Sequence, residues 1–141
     1  MRARETLLLA AAISAAAPTW AAWTAIGEDD TKAVWYVDAH ALRATGSVRQ
    51  VWALKDMEEP VLDFDLSARL LYEVDCQERR ERLLQYQYFR GRMGGGEPTR
   101  GGMTFGDWAA VAPGTVGAGI VKAACAASPG ARPGAQRSTG A

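Results

Sequence analysis

The sequence predicts an α+β fold: an antiparallel β-sheet of about five to six strands, a C-terminal α-helix packed on it, and one disulfide. Three observations carry this. Leu66, Ala68, Leu70, Tyr72, Val74 and Cys76 share one alternating face, and Ser67, Arg69, Leu71, Glu73 and Asp75 share the other. A period of two held so long indicates a strand with one buried and one wet face, and it points Cys76 inward. Pro113-Gly114-Thr115 is a helix start ahead of an apolar stripe made of Val116, Ile120 and Ala124. Cys76 and Cys125 are the only cysteines, 49 positions apart. A redox site favours a close Cys-x-x-Cys pair and zinc needs four ligands, which a chain with one histidine does not supply, so the pair reads as a structural disulfide.

Export fits that reading. Arg2 and Arg4 precede an apolar run, Leu7 to Ala17, and Pro18-Thr19-Trp20-Ala21 follows with small residues at positions −3 and −1 of a cut after Ala21. The run is shorter than the roughly 20 residues a bilayer span requires, so no transmembrane span is expected after removal of the signal. Residues 1–21 are read as signal peptide, 22–127 as one β-rich domain and 128–141 as a disordered tail, Gly- and Pro-rich without apolar period. No cysteine lies near the cut, so the product is expected in the periplasm or at the cell surface, secreted without a lipid anchor. The whole chain has 16 basic and 16 acidic residues, and the signal removes Arg2, Arg4 and Glu5. A nearly neutral product gives no electrostatic reason to expect nucleic acid or an anionic membrane as partner.

The elements follow in order. Trp23 to Ile26 reads as a short strand, Gly27 to Asp30 as a turn, and Thr31 to Val37, rich in β-branched and aromatic residues, as a second strand. Asp38 to Arg43 reads as one helical turn capped by Asp38. After the Thr45-Gly46-Ser47 turn, Val48 to Met57 alternates as a third strand, with Glu58-Glu59-Pro60 as its terminator. The long alternating strand comes next. Glu78 to Leu84 has good helix propensity, but Gln85 to Phe89 alternates polar and aromatic, and a strand is expected, turned back near Gln77. Gly91 to Gly102 holds six glycines and Pro98 and reads as a loop. Thr115 then caps a helix over Val116 to Ala126, weakened by Gly117 and Gly119 and held by packing and the disulfide.

His40 is the sole histidine; without a nucleophile setting nearby, it reads as a solvated turn residue. Gly94-Gly95-Gly96 is followed by Glu97-Pro98 rather than a Gly-Lys-Ser/Thr ending, so it reads as a turn and not a phosphate cradle. Asp63 and Asp65 are too few for calcium. No catalytic residue, metal or cofactor is therefore expected. Arg80, Arg82, Tyr86 and Tyr88 alternate along one strand and are expected to project together, as a protein-binding surface of arginine and aromatics.

The ordered series of motifs resembles the bacterial surface-adhesin protein E family. Trp23 opens it, followed by Trp35-Tyr36-Val37-Asp38, Val51-Trp52-Ala53-Leu54, and Ser67 through Tyr72-Glu73-Val74-Asp75-Cys76. Glu78-Arg79-Arg80, Met93-Gly94-Gly95-Gly96-Glu97, Trp108, Val111-Ala112-Pro113-Gly114-Thr115 and Cys125 complete it. The resemblance implies an antiparallel sheet joined to a C-terminal helix by the cysteine pair, homodimer formation, and an adhesive, protein-binding role. The family's namesake is associated with host extracellular-matrix proteins. The function expected is thus an exported, non-enzymatic protein-binding module for an extracellular or envelope protein. The alternative is a periplasmic structural or assembly component of the cell envelope. Trp23, Trp35, Trp52 and Trp108 exceed what one modest core buries, which also favours an interface such as a homodimer.

Overall fold

A computed structural model describes residues 22–127; the segments read as signal peptide and as disordered tail lie outside the described residues. Seven antiparallel strands form one sheet: β1 (Trp23–Glu28), β2 (Val34–Thr45), β3 (Val48–Val61), β4 (Asp65–Asp75), β5 (Arg80–Phe89), β6 (Pro98–Met103) and β7 (Ala109–Ala110). The first six pair in sequence order, and β7 pairs with the start of β5 beside β6. One helix, α1 (Val116–Ala126), crosses the sheet, capped by the Thr115 hydroxyl, which accepts from the Ala118 amide at 3.2 Å. This is the α+β architecture expected, disulfide included: Cys76 and Cys125 are bonded, with Cα atoms 5.6 Å apart.

The core lies between α1 and one face of the sheet. Ile120, Val121 and Ala124 of the helix pack on Val37, Leu42, Val51, Ala53 and Val74. Gly117 sits so close to Glu81 that a Cβ there would meet its Oε1 at 2.7 Å, which explains a residue otherwise unfavourable in a helix.

Three local expectations fail for identifiable reasons. Asp38 does act as a local cap, accepting the amides of His40 at 3.0 Å and Ala41 at 3.3 Å, but no helical turn forms. Instead the chain bulges between Asp38 and Arg43 and resumes pairing as β2. A lone helical turn nucleates poorly, whereas the bulge sends Leu42 into the core and lets Arg43, Ala44 and Thr45 pair with Gln50, Arg49 and Val48. Glu58-Glu59-Pro60 does not end β3; after an irregularity, pairing returns at Val61 opposite Asp65. Pro60 is tolerated because this stretch is exposed at the sheet's end. The glycine-rich loop contains a strand, β6, because Gly101 lets it approach β5: a Cβ at Gly101 would lie 2.9 Å from the Tyr86 carbonyl oxygen.

Candidate protein-interaction face

Residues paired across antiparallel strands point to the same side of a sheet. The registers therefore trace one continuous row on the face that α1 leaves open: Trp23, Asp38, Trp52, Leu71, Gln85 and Met103, one from each of β1 to β6. Trp23, Trp52, Leu71 and Gln85 are half-buried, and Met103 is 72% exposed. A flanking row carries Arg43, Gln50, Glu73 and Arg82. Two pockets open on either side of Trp52. One of about 160 Å³ is lined by Trp23, Asp38, Trp52 and Arg69, and one of about 210 Å³ by Ala41, Arg43, Gln50, Trp52 and Leu71.

The four residues expected to form one surface are divided by a bulge. Leu71 pairs with Gln85 but Tyr72 pairs with Leu83, so Leu84 is an extra residue in β5. Each extra residue inverts the alternation that follows. Arg80 and Arg82 therefore lie on the open face opposite Asp75 and Glu73, whereas Tyr86 and Tyr88 pair with Leu70 and Ala68 on the side of the helix.

Their surroundings differ accordingly. Arg80 and Arg82 hold Asp75 at 3.2 Å and Glu73 at 2.6 Å, and their guanidinium groups lie 4.9 and 4.6 Å from the centre of the Trp108 ring. Trp108 immediately precedes β7, whose pairing to Arg80 and Glu81 brings it there. Tyr86 and Tyr88 meet edge to face with ring centres 6.1 Å apart, and Arg100 stacks on Tyr88 at 3.7 Å.

Buried carboxylates fasten the loops around this framework. Asp56 accepts from Arg92 Nε at 2.8 Å and from the Met93 amide at 2.7 Å. Ser67 accepts from the Gly94 amide at 2.8 Å, so the tri-glycine segment is pinned to β3 and β4 as a structural turn. Burial by itself would raise the Asp65 pKa; the Thr99 hydroxyl at 2.6 Å and Arg100 Nε at 2.8 Å outweigh it and hold the carboxyl below its ordinary range. Both Asp65 oxygens are thus engaged in fastening β6 to the start of β4. Asp75 is likewise held low, chiefly by the Glu78 amide and with help from Arg80. His40 is exposed within the β2 bulge.

Sequence reading missed the Trp23–Asp38–Trp52–Leu71 grouping. Placing Trp52 and Leu54 on one alternating side was within its reach; knowing which residues of β2 and β4 stand beside them needs the register, which the β2 bulge shifts.

The sequence profile of the family described as surface-adhesin protein E matches residues 23–126. Among solved structures, crystal form II of Haemophilus influenzae protein E is similar, with a TM-score of 0.57 and 12% identity, over 65% of this chain and 80% of that one. The selenomethionine form of the same protein gives a TM-score of 0.56 at 12% identity, over 72% and 85%. At such identity the likeness is one of fold. No curated protein sequence matches the chain.

Proposed function

The chain belongs to the surface-adhesin protein E family, and on that premise we propose that it is an exported, non-enzymatic protein-binding module that engages an extracellular or envelope protein through its open sheet face. One observation carries the choice of face. The α-helix covers one side of the sheet; the other, closed over at the end where Asp56 pairs with Ser67 by a short 3-10 turn (Arg92–Gly94), presents a row containing two tryptophans, a leucine and a methionine. Half-exposed aromatics bordered by arginine are the residue types that protein interfaces enrich. Arg80 and Arg82 belong to this surface; Tyr86 and Tyr88 lie on the helix side, around the Arg100 stack, and are not part of it. No helix among the described residues is long and apolar enough to cross a membrane.

The reading is tested with the mature protein, expected to begin at Ala22, presented to immobilised extracellular-matrix glycoproteins. Saturable binding is expected, weakened about tenfold or more by Trp52→Ser, the loss typical of a central aromatic anchor. The His40→Ala change should leave binding intact. Unchanged affinity in a Trp52→Ser protein whose circular dichroism is native would remove this face from consideration.

A further inference from the structure

Four aspartates of the described chain are buried: Asp38, Asp56, Asp65 and Asp75. Three have an arginine partner, Arg92, Arg100 and Arg80 respectively. Asp38 is 6% exposed and has no basic partner among the described residues. Its Oδ1 accepts the amides of His40 and Ala41, and among the described residues its Oδ2 takes no hydrogen bond. Asp38 Oδ2 keeps some contact with solvent, so this free oxygen is open to a cation arriving from outside. Asp38 stands between Trp23 and Trp52 in the cross-strand row and lines the 160 Å³ pocket with both.

Tryptophan faces attract cations, most strongly where water is excluded, and a carboxylate beside them supplies the counter-charge. The pocket is well below the roughly 300–1,000 Å³ of sites for drug-sized ligands, so it suits a single side-chain head. Arg69 also lines it, but its guanidinium lies over the Phe89 ring at 5.5 Å. Phe89 is on β5, and Asp38 is on β2, two strands beyond β4 on the opposite side. Arg69 is thus engaged by Phe89 and makes no salt bridge to Asp38.

We propose that the pocket formed by Trp23, Trp52 and Asp38 binds an alkylammonium group, presented as a lysine side chain of a protein partner. Lysine is favoured over arginine because its ammonium is a compact point charge, whereas a planar guanidinium presents its fork to both oxygens of a carboxylate. Here Oδ1 is already occupied by two backbone amides.

The test needs no knowledge of the natural partner. Nα-acetyl-lysine methylamide, Nα-acetyl-norleucine methylamide and choline are titrated separately into the mature protein, followed by NMR of the tryptophan indole N–H signals. The lysine probe is expected to shift the Trp23 and Trp52 signals and to bind about tenfold tighter than the neutral norleucine probe, the scale of one desolvated cation–π contact. Asp38→Asn keeps an acceptor for the His40 and Ala41 amides while removing the charge, and should abolish that preference. Trp23→Leu, on the edge strand, should weaken lysine binding without depending on the bulge. Equal affinity for lysine and norleucine probes overturns the proposal, as does undiminished lysine binding in a folded variant of either kind. Binding of choline without binding of the lysine probe would also overturn it.

Discussion

Two acids in this protein, the buried Asp65 and the half-buried Glu81, should respond to pH in opposite senses, and each sign follows from what surrounds the carboxyl. Asp65 is held low by Thr99 and Arg100 against the raising effect of burial. Its folded pKa lies below the unfolded value of about 3.9. The stability it contributes is therefore present above that value and is lost as pH falls through the folded pKa. Glu81 is pushed up by burial: its Oε1 lies against Gly117 of the helix, and its Oε2 is buried without a hydrogen-bond partner. Its folded pKa lies above the unfolded value of about 4.3, so stability is greatest below that value and declines as pH rises through the folded pKa. Thermal melts should separate the two. Asp65→Asn is expected to lower Tm at about pH 7 and to cost progressively less as pH falls through the folded pKa of the native carboxyl. Glu81→Gln is expected to raise Tm at about pH 7 and to change little at about pH 4. A Glu81→Gln protein that melts lower at neutral pH would mean that the ionised group has a partner that the burial argument overlooks.

At the scale of elements, the helix depends on its covalent link. α1 has 11 residues, two of them glycine near its start, and would be marginal in isolation. Closing the loop from Cys76 to Cys125 stabilises by up to about 4 kcal/mol in the chain-entropy model, and often by less. Cys76→Ser with Cys125→Ser is expected to lower Tm substantially and to free α1 first, read as faster amide exchange at Ile120 and Val121 than in the strands. Equal exchange in helix and sheet would show that packing alone secures it. The same elements show what sequence can reveal. The alternation of β4 and the Thr115 cap are local signals, and both survive into the fold because burial and local propensity agree there. Residues 38–43 mislead because Asp38 makes the amide bonds expected of a cap, while the decision to stay extended comes from burial of Leu42 and from pairing with strand β3, where Arg43 meets Gln50 and Asp38 meets Trp52. The split of Arg80 and Arg82 from Tyr86 and Tyr88 rests on one extra residue, Leu84, which no composition or period announces. The tryptophan–aspartate pocket is harder still, since its residues come from β1, β2, β3 and β4 and meet only through register.

For the whole molecule, the question is what meets the two edges of the sheet. β1 and β6 each have a side without a partner strand among the described residues, and such edges are sites of association unless charged, bulged or covered. β1 carries a bulge between Ala25 and Gly27. β6 has less protection: Met103 is 72% exposed, and Phe105 just beyond it is 84% exposed. We therefore expect a homodimer built on the β6 edge, which would bury Met103 and Phe105 and continue the sheet into a second protomer. A single edge strand covers little area, so the contact must extend around these two side chains to approach the roughly 1,200–2,000 Å² of stable interfaces. This geometry leaves the pockets beside Trp52 open in both protomers, whereas a face-to-face dimer would cover them. Sedimentation at tens of micromolar is expected to show a dimer, and Met103→Lys with Phe105→Lys to convert it to monomer. The monomer should keep its Tm and its affinity for the lysine probe. If Trp52→Ser dissociates the dimer while the double lysine variant does not, the protomers meet through the open face, and the binding surface proposed for a foreign protein is instead occupied by a second copy.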